Sequence, residues 1–343
     1  MEPLVARELV AAARGGDARA FERLVAPHLA ELRAHCYRLL GSPHDAEDAL
    51  QESLLRAWRG IGGLDDRGFA RAWLYKIATN RCLTAIERRG RRELPVDLGA
   101  PGGGTALGEA AGGEVAWLEP CPEPSAEARC LARESVELAF VAALQHLTPV
   151  QRAVLLLREV LGFPAAQVAE QLGTSTASVN SALQRARKAV GSTEPTQHAV
   201  LRDLGDEAVG ALVARWSEAW RRGDVDAIVE LLADDARYSM PPLPEWYRGR
   251  DAIRAFLLAG PLRSRWRFLP TWANGQLAFG TYLWDGAAGA YLPGGLDVLT
   301  VRGDRVVEVT SFLTADLTRF RLPARLHPPA LDLVRGRGAP PLG

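Results

Sequence analysis

The segment from residue 147 to residue 190 constrains the fold most, because it has the spacing of two short helices joined by a tight turn. Pro164 stands where a helix can begin without losing a hydrogen bond, and Gly173 stands where that helix would end. Thr174 or Ser175 can cap a following helix, in which apolar residues recur on one stripe. The spacing therefore predicts a helix-turn-helix motif, with helices over residues 164–172 and 176–190.

The second helix of this motif carries the side chains that DNA recognition needs. Small hydroxyl residues near its start can approach base edges, and cationic residues later in the helix can contact phosphates. The candidate DNA-contacting residues are Ser175, Thr176, Ser178, Ser181, Arg185 and Lys188. The alternative is a pair of packed helices with a basic face that is only solvated.

Composition narrows the class of protein. A chain of 343 residues is long enough for two or three domains, and a hydrophobic fraction of 48% allows sizeable cores. The formal net charge is zero, which argues against a uniformly basic coat, although arginines are concentrated in residues 81–92.

Cysteine usage and hydropathy predict the compartment. The four cysteines form no CxxC pair and have no matching histidine pair, so neither a metal site nor a cofactor is expected. The chain shows no signal peptide and no apolar run of membrane-spanning length. We therefore expect a cytoplasmic protein without a membrane segment.

The pattern along the chain predicts five parts, over residues 1–92, 93–129, 130–191, 206–320 and 321–343. The first and third are helical, and the second is a Gly-, Ala- and Pro-rich linker. The fourth combines three helices with five strand-like runs and a hairpin turn at Gly303-Asp304, which indicates a separate α+β domain. The last is a Pro-, Arg- and Gly-rich tail.

Two helices of the first part differ in their chemistry. The helix over residues 45–58 presents an acidic and polar ridge formed by Asp45, Asp48, Gln51, Glu52 and Arg56. The helix over residues 69–89 combines aromatic, amide and cationic groups suited to unpaired bases, namely Trp73, Tyr75, Lys76, Asn80, Arg81 and Arg88. The ridge is equally consistent with a solvated helix face, and Trp73 with a core position.

In this order, the acidic helix, the aromatic helix and the helix-turn-helix resemble the extracytoplasmic-function sigma factors of the sigma-70 family, which direct bacterial RNA polymerase to promoters. The resemblance implies that the ridge binds core RNA polymerase, facing its β′ subunit, with the β subunit and promoter DNA as further partners. Residues 69–89 and the loop over 59–67 would bind and melt the −10 element. The helix-turn-helix would bind the −35 element.

Residues 206–320 resemble SnoaL-like proteins, in which a curved antiparallel sheet and helices form a cone around a pocket. The matching stretches are residues 216–257 and 298–312, and the candidate pocket residues are Tyr238, Trp246, Trp266 and Asp297. Some relatives are cyclases or isomerases that use an Asp–His pair, but residues 206–320 contain no histidine. A regulatory domain that binds a small-molecule ligand, or that only makes contacts, is therefore favoured over an enzyme.

The linker contains the sequence WLEPCPE over residues 117–123, which looks like the linker motif of sigma factors with a fused SnoaL-like domain. In that subgroup the fused domain regulates the sigma part in place of a separate anti-sigma partner. We expect Trp117 and Pro120 to dock against residues 206–320. The alternative is that Trp117 packs on the nearby helical domain.

The predicted fold is thus two all-α domains, the second with the helix-turn-helix, followed by an α+β cone. The predicted function is an alternative sigma factor regulated by its fused domain, and not an enzyme. Two alternatives remain. A polymerase-independent transcription regulator would leave the acidic ridge unexplained, and a transcription module fused to a ligand-binding or cyclase-like domain would require turnover of a small molecule.

Overall fold

The computed structural model describes residues 3–64, 70–103, 115–122, 137–190 and 196–327. The chain divides into two compact units. The helical unit comprises residues 1–93 and 115–196, and the C-terminal unit comprises residues 94–114 and 197–343. The predicted linker is therefore shared between the two units.

The first half of the helical unit contains α1 (Pro3–Arg14), α2 (Ala18–Val25), α3 (Leu29–Leu40), α4 (Pro43–Gly60) and α5 (Ala70–Arg89). The sequence predicted one helix from residue 18 to residue 40. Instead, a 3₁₀ turn over Ala26–His28 separates α2 from α3, because Pro27 in that turn cannot donate a helical hydrogen bond. The helix α4 begins as predicted, with the Ser42 hydroxyl accepting the Asp45 N–H at 3.2 Å.

The second half contains α6 (Leu138–Gln145), α7 (Pro149–Leu155), α8 (Ala165–Leu172) and α9 (Thr176–Val190). Pro164 immediately precedes α8, and Gly173 takes the left-handed conformation with φ of 62° that ends it. Ser175 caps α9 by accepting the Ser178 N–H at 3.1 Å. The predicted helix-turn-helix is therefore present in the structure.

The two halves of the helical unit pack against each other. Helix α3 contacts α6 and α7, and α5 contacts α7 and α8. Fully buried side chains on both sides include Leu39 from α3, Ala78 from α5 and Val154 from α7. The domains that the sequence predicted as separate bodies thus form one compact unit.

The C-terminal unit contains helices α10 (Gln197–Leu204), α11 (Asp206–Arg222), α12 (Val225–Glu230) and α13 (Arg250–Ala259). Its strands are β1 (Leu232–Ser239), β2 (Trp246–Arg248), β3 (Trp266–Ala273), β4 (Gln276–Asp285), β5 (Ala290–Arg302) and β6 (Arg305–Phe312). The strand order is β2-β1-β6-β5-β4-β3. An aromatic cluster of Trp216 and Trp220 from α11 with Phe268 and Phe279 from the sheet forms part of the core.

The sheet differs from the antiparallel prediction in one pairing. Strands β1 and β6 run parallel, with Tyr238 opposite Val309, so the sheet is mixed. The other pairings are antiparallel, and Gly303 makes the predicted hairpin between β5 and β6 with φ of 61°.

The sequence also missed β2 and the first half of β5. Pro293, Gly294 and Gly295 are residue types that usually interrupt a strand, but β5 continues past them through an irregularity in its pairing with β4. At Gly294 a Cβ would lie 2.7 Å from the Trp266 ring, and Gly295 has φ of 148°. The glycines therefore allow close packing within the strand and do not end it.

Membrane and metal features were searched among the residues that the structure describes. None of their helices is long and apolar enough to cross a membrane. Their histidine, cysteine, aspartate and glutamate side chains form no group of three or more that could hold a metal ion.

Candidate polymerase and DNA interface

The acidic ridge lies on the exposed face of α4. Asp48, Gln51 and Arg56 are exposed, and Glu52 is half-buried. Leu55, which sequence reasoning missed, lies among them with 56% of its surface exposed. An apolar residue four positions after Gln51, on a face that is otherwise polar, was the signal that could have identified it. The ridge therefore offers an apolar contact within a charged surface.

Asp45 does not belong to this exposed surface, which corrects its predicted place on the ridge. Its carboxylate is buried and lies 2.5 Å from the Arg92 guanidinium, and it also pairs with Arg89. Its N–H is held by the cap at Ser42. Asp45 neutralises Arg89, the last residue of α5, and Arg92, which follows it. It also stabilises the start of α4, where the helix dipole favours an anion.

The predicted −10 residues of α5 differ in exposure. Asn80 and Arg88 are exposed, whereas Trp73, Lys76 and Arg81 are half-buried. Arg81 lies 2.6 Å from Glu52 of the ridge, so one predicted DNA contact and one predicted polymerase contact neutralise each other. The predicted loop over residues 59–67 falls partly outside the described residues, which stop at residue 64.

Tyr75, the remaining predicted −10 residue, is buried in this structure. Its side chain is 0% exposed, and its hydroxyl donates a hydrogen bond to the Glu31 carboxylate at 3.1 Å. Its ring lies edge-on to His35 and Phe163, with centroid distances of 5.1 and 5.6 Å. Burial raises the pKa of the Tyr75 hydroxyl well above its ordinary value. A base cannot stack on Tyr75 in this conformation.

Phe163, from the helix-turn-helix half, covers the start of α5. The Arg71 guanidinium lies 4.8 Å from the Phe163 ring centre and 5.2 Å from the Tyr75 ring centre. Arg71 also donates to the Leu161 carbonyl at 3.4 Å. Sequence reasoning missed both Arg71 and Phe163. These contacts occupy, with protein groups, the kind of stacking surface that unpaired bases use.

A buried arginine joins the two halves a second time. Arg152, 1% exposed, donates to the Leu39 carbonyl of α3 and to the Gln145 side-chain oxygen, the latter at 2.7 Å. It also donates to the backbone carbonyl of Gln145 at 3.1 Å. Burial lowers the pKa of Arg152 to about 10, so it remains charged at neutral pH. The Arg152 guanidinium keeps all of these hydrogen bonds only while α3 and α6 lie together.

The −35 candidates on α9 have the opposite environment, because all six predicted residues are exposed. The other face of α9 is buried through Val179, Leu183 and Ala186, and α9 packs on α7. Asn180 and Gln184 are also exposed and were not among the predicted contacts. Their amide groups are of the kind that pairs with adenine in the major groove.

The linker motif contacts the helical unit. The Glu93 N–H donates to the Ala116 carbonyl at 2.8 Å, and the Leu118 N–H donates to the Glu93 carbonyl at 2.9 Å. Trp117 is half-buried and pairs with Glu93 through its backbone, while Pro120 is buried. These contacts are those of the alternative that we weighed, in which Trp117 packs on the helical domain. The docking of Trp117 and Pro120 on residues 206–320 stays a prediction.

Comparison with known proteins identifies the family. Residues 24–92 match Sigma-70 region 2, residues 137–190 match Sigma-70 region 4, and residues 213–309 match the SnoaL-like domain. The ECF RNA polymerase sigma factor SigG of Mycobacterium tuberculosis is 44% identical over 322 residues, which cover 91% of this chain and 86% of that protein. The chain belongs to the ECF RNA polymerase sigma factors.

A second relative has the same overall organisation. The sigma factor SigJ of M. tuberculosis is 31% identical over 293 residues, which cover 81% of this chain and 85% of that protein. Its crystal structure matches 86% of this sigma factor with a TM-score of 0.56 and 27% identity. The predicted family, the fold class and the function as a sigma factor with a fused SnoaL-like domain are thereby confirmed. The non-enzymatic prediction is confirmed for the sigma part alone.

Two of the four pocket candidates of this sigma factor, Tyr238 and Asp297, lie close together. Asp297 of β5 is buried close to Tyr238 and Ser311, whose hydroxyls lower its pKa, but burial dominates and raises the pKa to about 7. Trp266 donates to the Pro261 carbonyl at 2.7 Å and lies edge-on to Trp220. The Trp246 indole N–H donates to the Gly99 carbonyl at 2.8 Å.

Proposed function

We propose that this sigma factor exists in a held state in which the −35 helix is free to meet duplex DNA and the −10 helix is not. The observation that carries this proposal is the contrast between the exposed face of α9 and the cover of Arg71 and Tyr75 by Phe163. Initiation then requires the two halves of the helical unit to separate, so that α5 can take unpaired bases of the −10 element.

In the active state, core polymerase binds the exposed part of the α4 ridge. Asp48, Gln51, Glu52 and Arg56 provide charge complementarity to the β′ subunit, while Leu55 provides the apolar contact at the centre. The helix-turn-helix half takes the β subunit as its partner and promoter DNA on α9. Polymerase binding favours the open state only to the extent that it binds that state more tightly.

Reversing one charge of the ridge tests this assignment. Asp48→Arg is expected to weaken binding of core RNA polymerase at least about tenfold, because a like charge then faces a basic partner. Glu22→Arg on the exposed surface of α2 changes the net charge equally and is expected to leave binding unchanged. Affinity is measured by fluorescence anisotropy with purified core polymerase. Equal effects of the two variants would contradict the ridge as the binding surface.

We further propose that the fused domain sets the balance between the held and open states. A bias of a few kcal/mol from the fused domain is sufficient to shift the population between the two states. In vitro transcription with core polymerase, comparing the full chain with variants of the contacts between the halves, reports on that balance.

A small-molecule ligand of the C-terminal unit is supported by Asp297. This carboxyl group is 1% exposed and has no hydrogen bond of ordinary geometry to a described side chain, although Ser311 and Tyr238 lie close. A buried polar group without a good partner is costly, and such groups are common where ligands bind. An apolar ligand with one hydroxyl or amine donor would satisfy it. Thermal-shift measurements with aromatic alcohols and amines test this, and no shift with any of them would count against a ligand.

The titration of Asp297 has its own consequence for stability. Its pKa is about 7 in the folded protein against an ordinary value of 3.8, so the folded state binds the extra proton between these values. Stability therefore falls as the pH rises from about 4 to about 7, by at most roughly 4 kcal/mol. Asp297→Asn is expected to flatten this profile and to be more stable than the wild type at pH 8. Equal profiles from thermal unfolding would show that Asp297 does not titrate in this range.

A further inference from the structure

One side of α9 is buried, and this fixes which residues point in the opposite direction. The helix packs on α7 and α8, and its buried stripe consists of Val179, Ala182, Leu183 and Ala186. A helix turns by about 100° per residue, so the stripe defines an outward direction on its far side. Four exposed residues lie within about 30° of that direction, namely Ala177, Ser181, Gln184 and Lys188. We call these four residues the outward row.

Three other polar side chains of the helix-turn-helix are bound to protein groups. The Ser175 hydroxyl accepts the Ser178 N–H at 3.1 Å and donates to the Ser178 hydroxyl at 2.9 Å, so both hydroxyls belong to the helix cap. The Arg187 guanidinium lies 2.6 Å from the Glu159 carboxylate, which neutralises it. These contacts leave the outward row as the surface of α9 that is best placed to read bases.

The width of the major groove separates the outward row from its flanks. The groove is about 12 Å wide, and a helix with its side chains is about 10–12 Å across. Only residues opposite the buried stripe therefore reach the base edges, whereas residues on either flank face the phosphates along the groove walls. Asn180 and Arg185 lie on opposite flanks, each about 70° from the outward direction.

Gln184 is the amide side chain within the outward row. Its neighbours one turn earlier on the row, Ser181 and then Ala177, are small, so the helix can approach the groove closely enough for the longer glutamine to reach a base. A glutamine amide carries one donor and one acceptor side by side. In the major groove, adenine presents the matching pair, because its N7 accepts and its N6 amino group donates.

We infer that Gln184 reads one adenine of the −35 element, with its amide N–H donating to N7 and its amide oxygen accepting from the N6 amino group. Asn180, although it is also an exposed amide on α9, faces a phosphate and does not distinguish bases. This inference rests on the assignment of α9 to the −35 element proposed above, and it adds the residue and the base that determine specificity.

The inference is tested by selecting promoters with variants of the full-length chain. The holoenzyme, assembled with core RNA polymerase, selects duplexes from a library that is randomised across the −35 element. Gln184→Ala removes the proposed reading amide, and Asn180→Ala is the matched control because it removes an exposed amide from the same helix. Gln184→Arg replaces the amide with a group that pairs with guanine O6 and N7. Thermal unfolding followed by circular dichroism verifies that each variant folds.

The wild type is expected to favour adenine at one position at least about fivefold over the other bases, as a bidentate contact allows. Gln184→Ala is expected to reduce this preference below about twofold at that position alone, and Gln184→Arg to shift it to guanine. Asn180→Ala is expected to weaken binding to all sequences and to keep the adenine preference. Retention of the preference in Gln184→Ala, or its loss in Asn180→Ala, would overturn the inference.

A change in the DNA gives the same test without altering the protein. Replacing the selected adenine by 7-deazaadenine removes the N7 acceptor and is expected to weaken binding of the wild-type holoenzyme several-fold, but to have little effect on Gln184→Ala. An equal loss in both proteins would overturn the contact. A defined −35 sequence that does not depend on Gln184 would overturn this inference and leave the proposed function intact. If the holoenzyme enriches no −35 sequence at all, the assignment of α9 fails as well.

Discussion

The two helices assigned to DNA, α5 and α9, have similar polar chemistry but opposite environments. Every predicted contact on α9 is exposed, whereas on α5 Tyr75 is fully buried and Arg71 lies against Phe163. The difference teaches that, in one conformation, a surface suited to duplex DNA can be exposed while a surface suited to unpaired bases is covered. In the held state that we propose, the sigma factor presents its −35 surface but does not melt a promoter.

The physical reason lies in what each helix needs to bury. The apolar stripe of α9 is covered by its own domain through Val179 and Leu183, so its polar face can remain in water. The surface of α5 combines aromatic rings with cations, and such groups stack equally well on a base or on a protein ring. In the structure, Phe163 occupies that surface.

The largest expected effect comes from Arg152, which joins the halves from a buried position. Arg152→Met leaves the Leu39 and Gln145 oxygens without their donor and is expected to lower the free energy of unfolding by about 3 kcal/mol. Arg158→Met is the control, because Arg158 donates to the Phe163 carbonyl within the helix-turn-helix half. Urea unfolding followed by circular dichroism measures both. Equal losses of unfolding free energy in the two variants would mean that Arg152 stabilises only its own half. It would then play no part in the contrast between α5 and α9.

A smaller effect is expected at Phe163, where the substitution can be graded. Phe163→Leu keeps most of the apolar volume but removes the ring that Arg71 and Tyr75 contact, at a cost of about 1 kcal/mol. Phe163→Ala also leaves a cavity and is expected to cost about 3 kcal/mol. Hydrogen exchange of α5 is expected to rise in that order, while exchange of α9 changes little. If hydrogen exchange of α9 rises as much as that of α5, the contact with Phe163 does not protect the −10 helix selectively.

The sequence predicted most of the helical unit because its signals are local. Ser42-Pro43, Pro164 and Gly173 mark helix ends through backbone chemistry that does not depend on distant partners, and the structure has helix ends at each of them. The exposure of α9 follows in the same way from its apolar stripe. Family resemblance added the order of the domains.

Burial by a distant segment could not be predicted from local pattern. Tyr75 and Asp45 are residue types that often make surface contacts. In the structure, Phe163, which is remote in sequence, covers Tyr75, and Arg92, which lies in a different segment, neutralises Asp45. The same limit explains β2 and the first half of β5. A three-residue edge strand has too little periodicity to detect, and the glycines of β5 have their function only beside Trp266.

The smallest expected effect compares one arginine from each DNA helix. Arg185 on α9 and Arg88 on α5 are both exposed, yet only α9 is expected to meet duplex DNA in the held state. Arg185→Ala is expected to reduce the salt dependence of binding to duplex promoter DNA by about one unit of slope and to weaken binding several-fold. Arg88→Ala is expected to leave duplex binding of the free protein unchanged and to reduce promoter opening by the holoenzyme, measured by permanganate footprinting. A loss of duplex affinity in Arg88→Ala as large as that in Arg185→Ala would mean that α5 already reaches DNA before the halves separate, and the contrast between the two helices would not govern initiation.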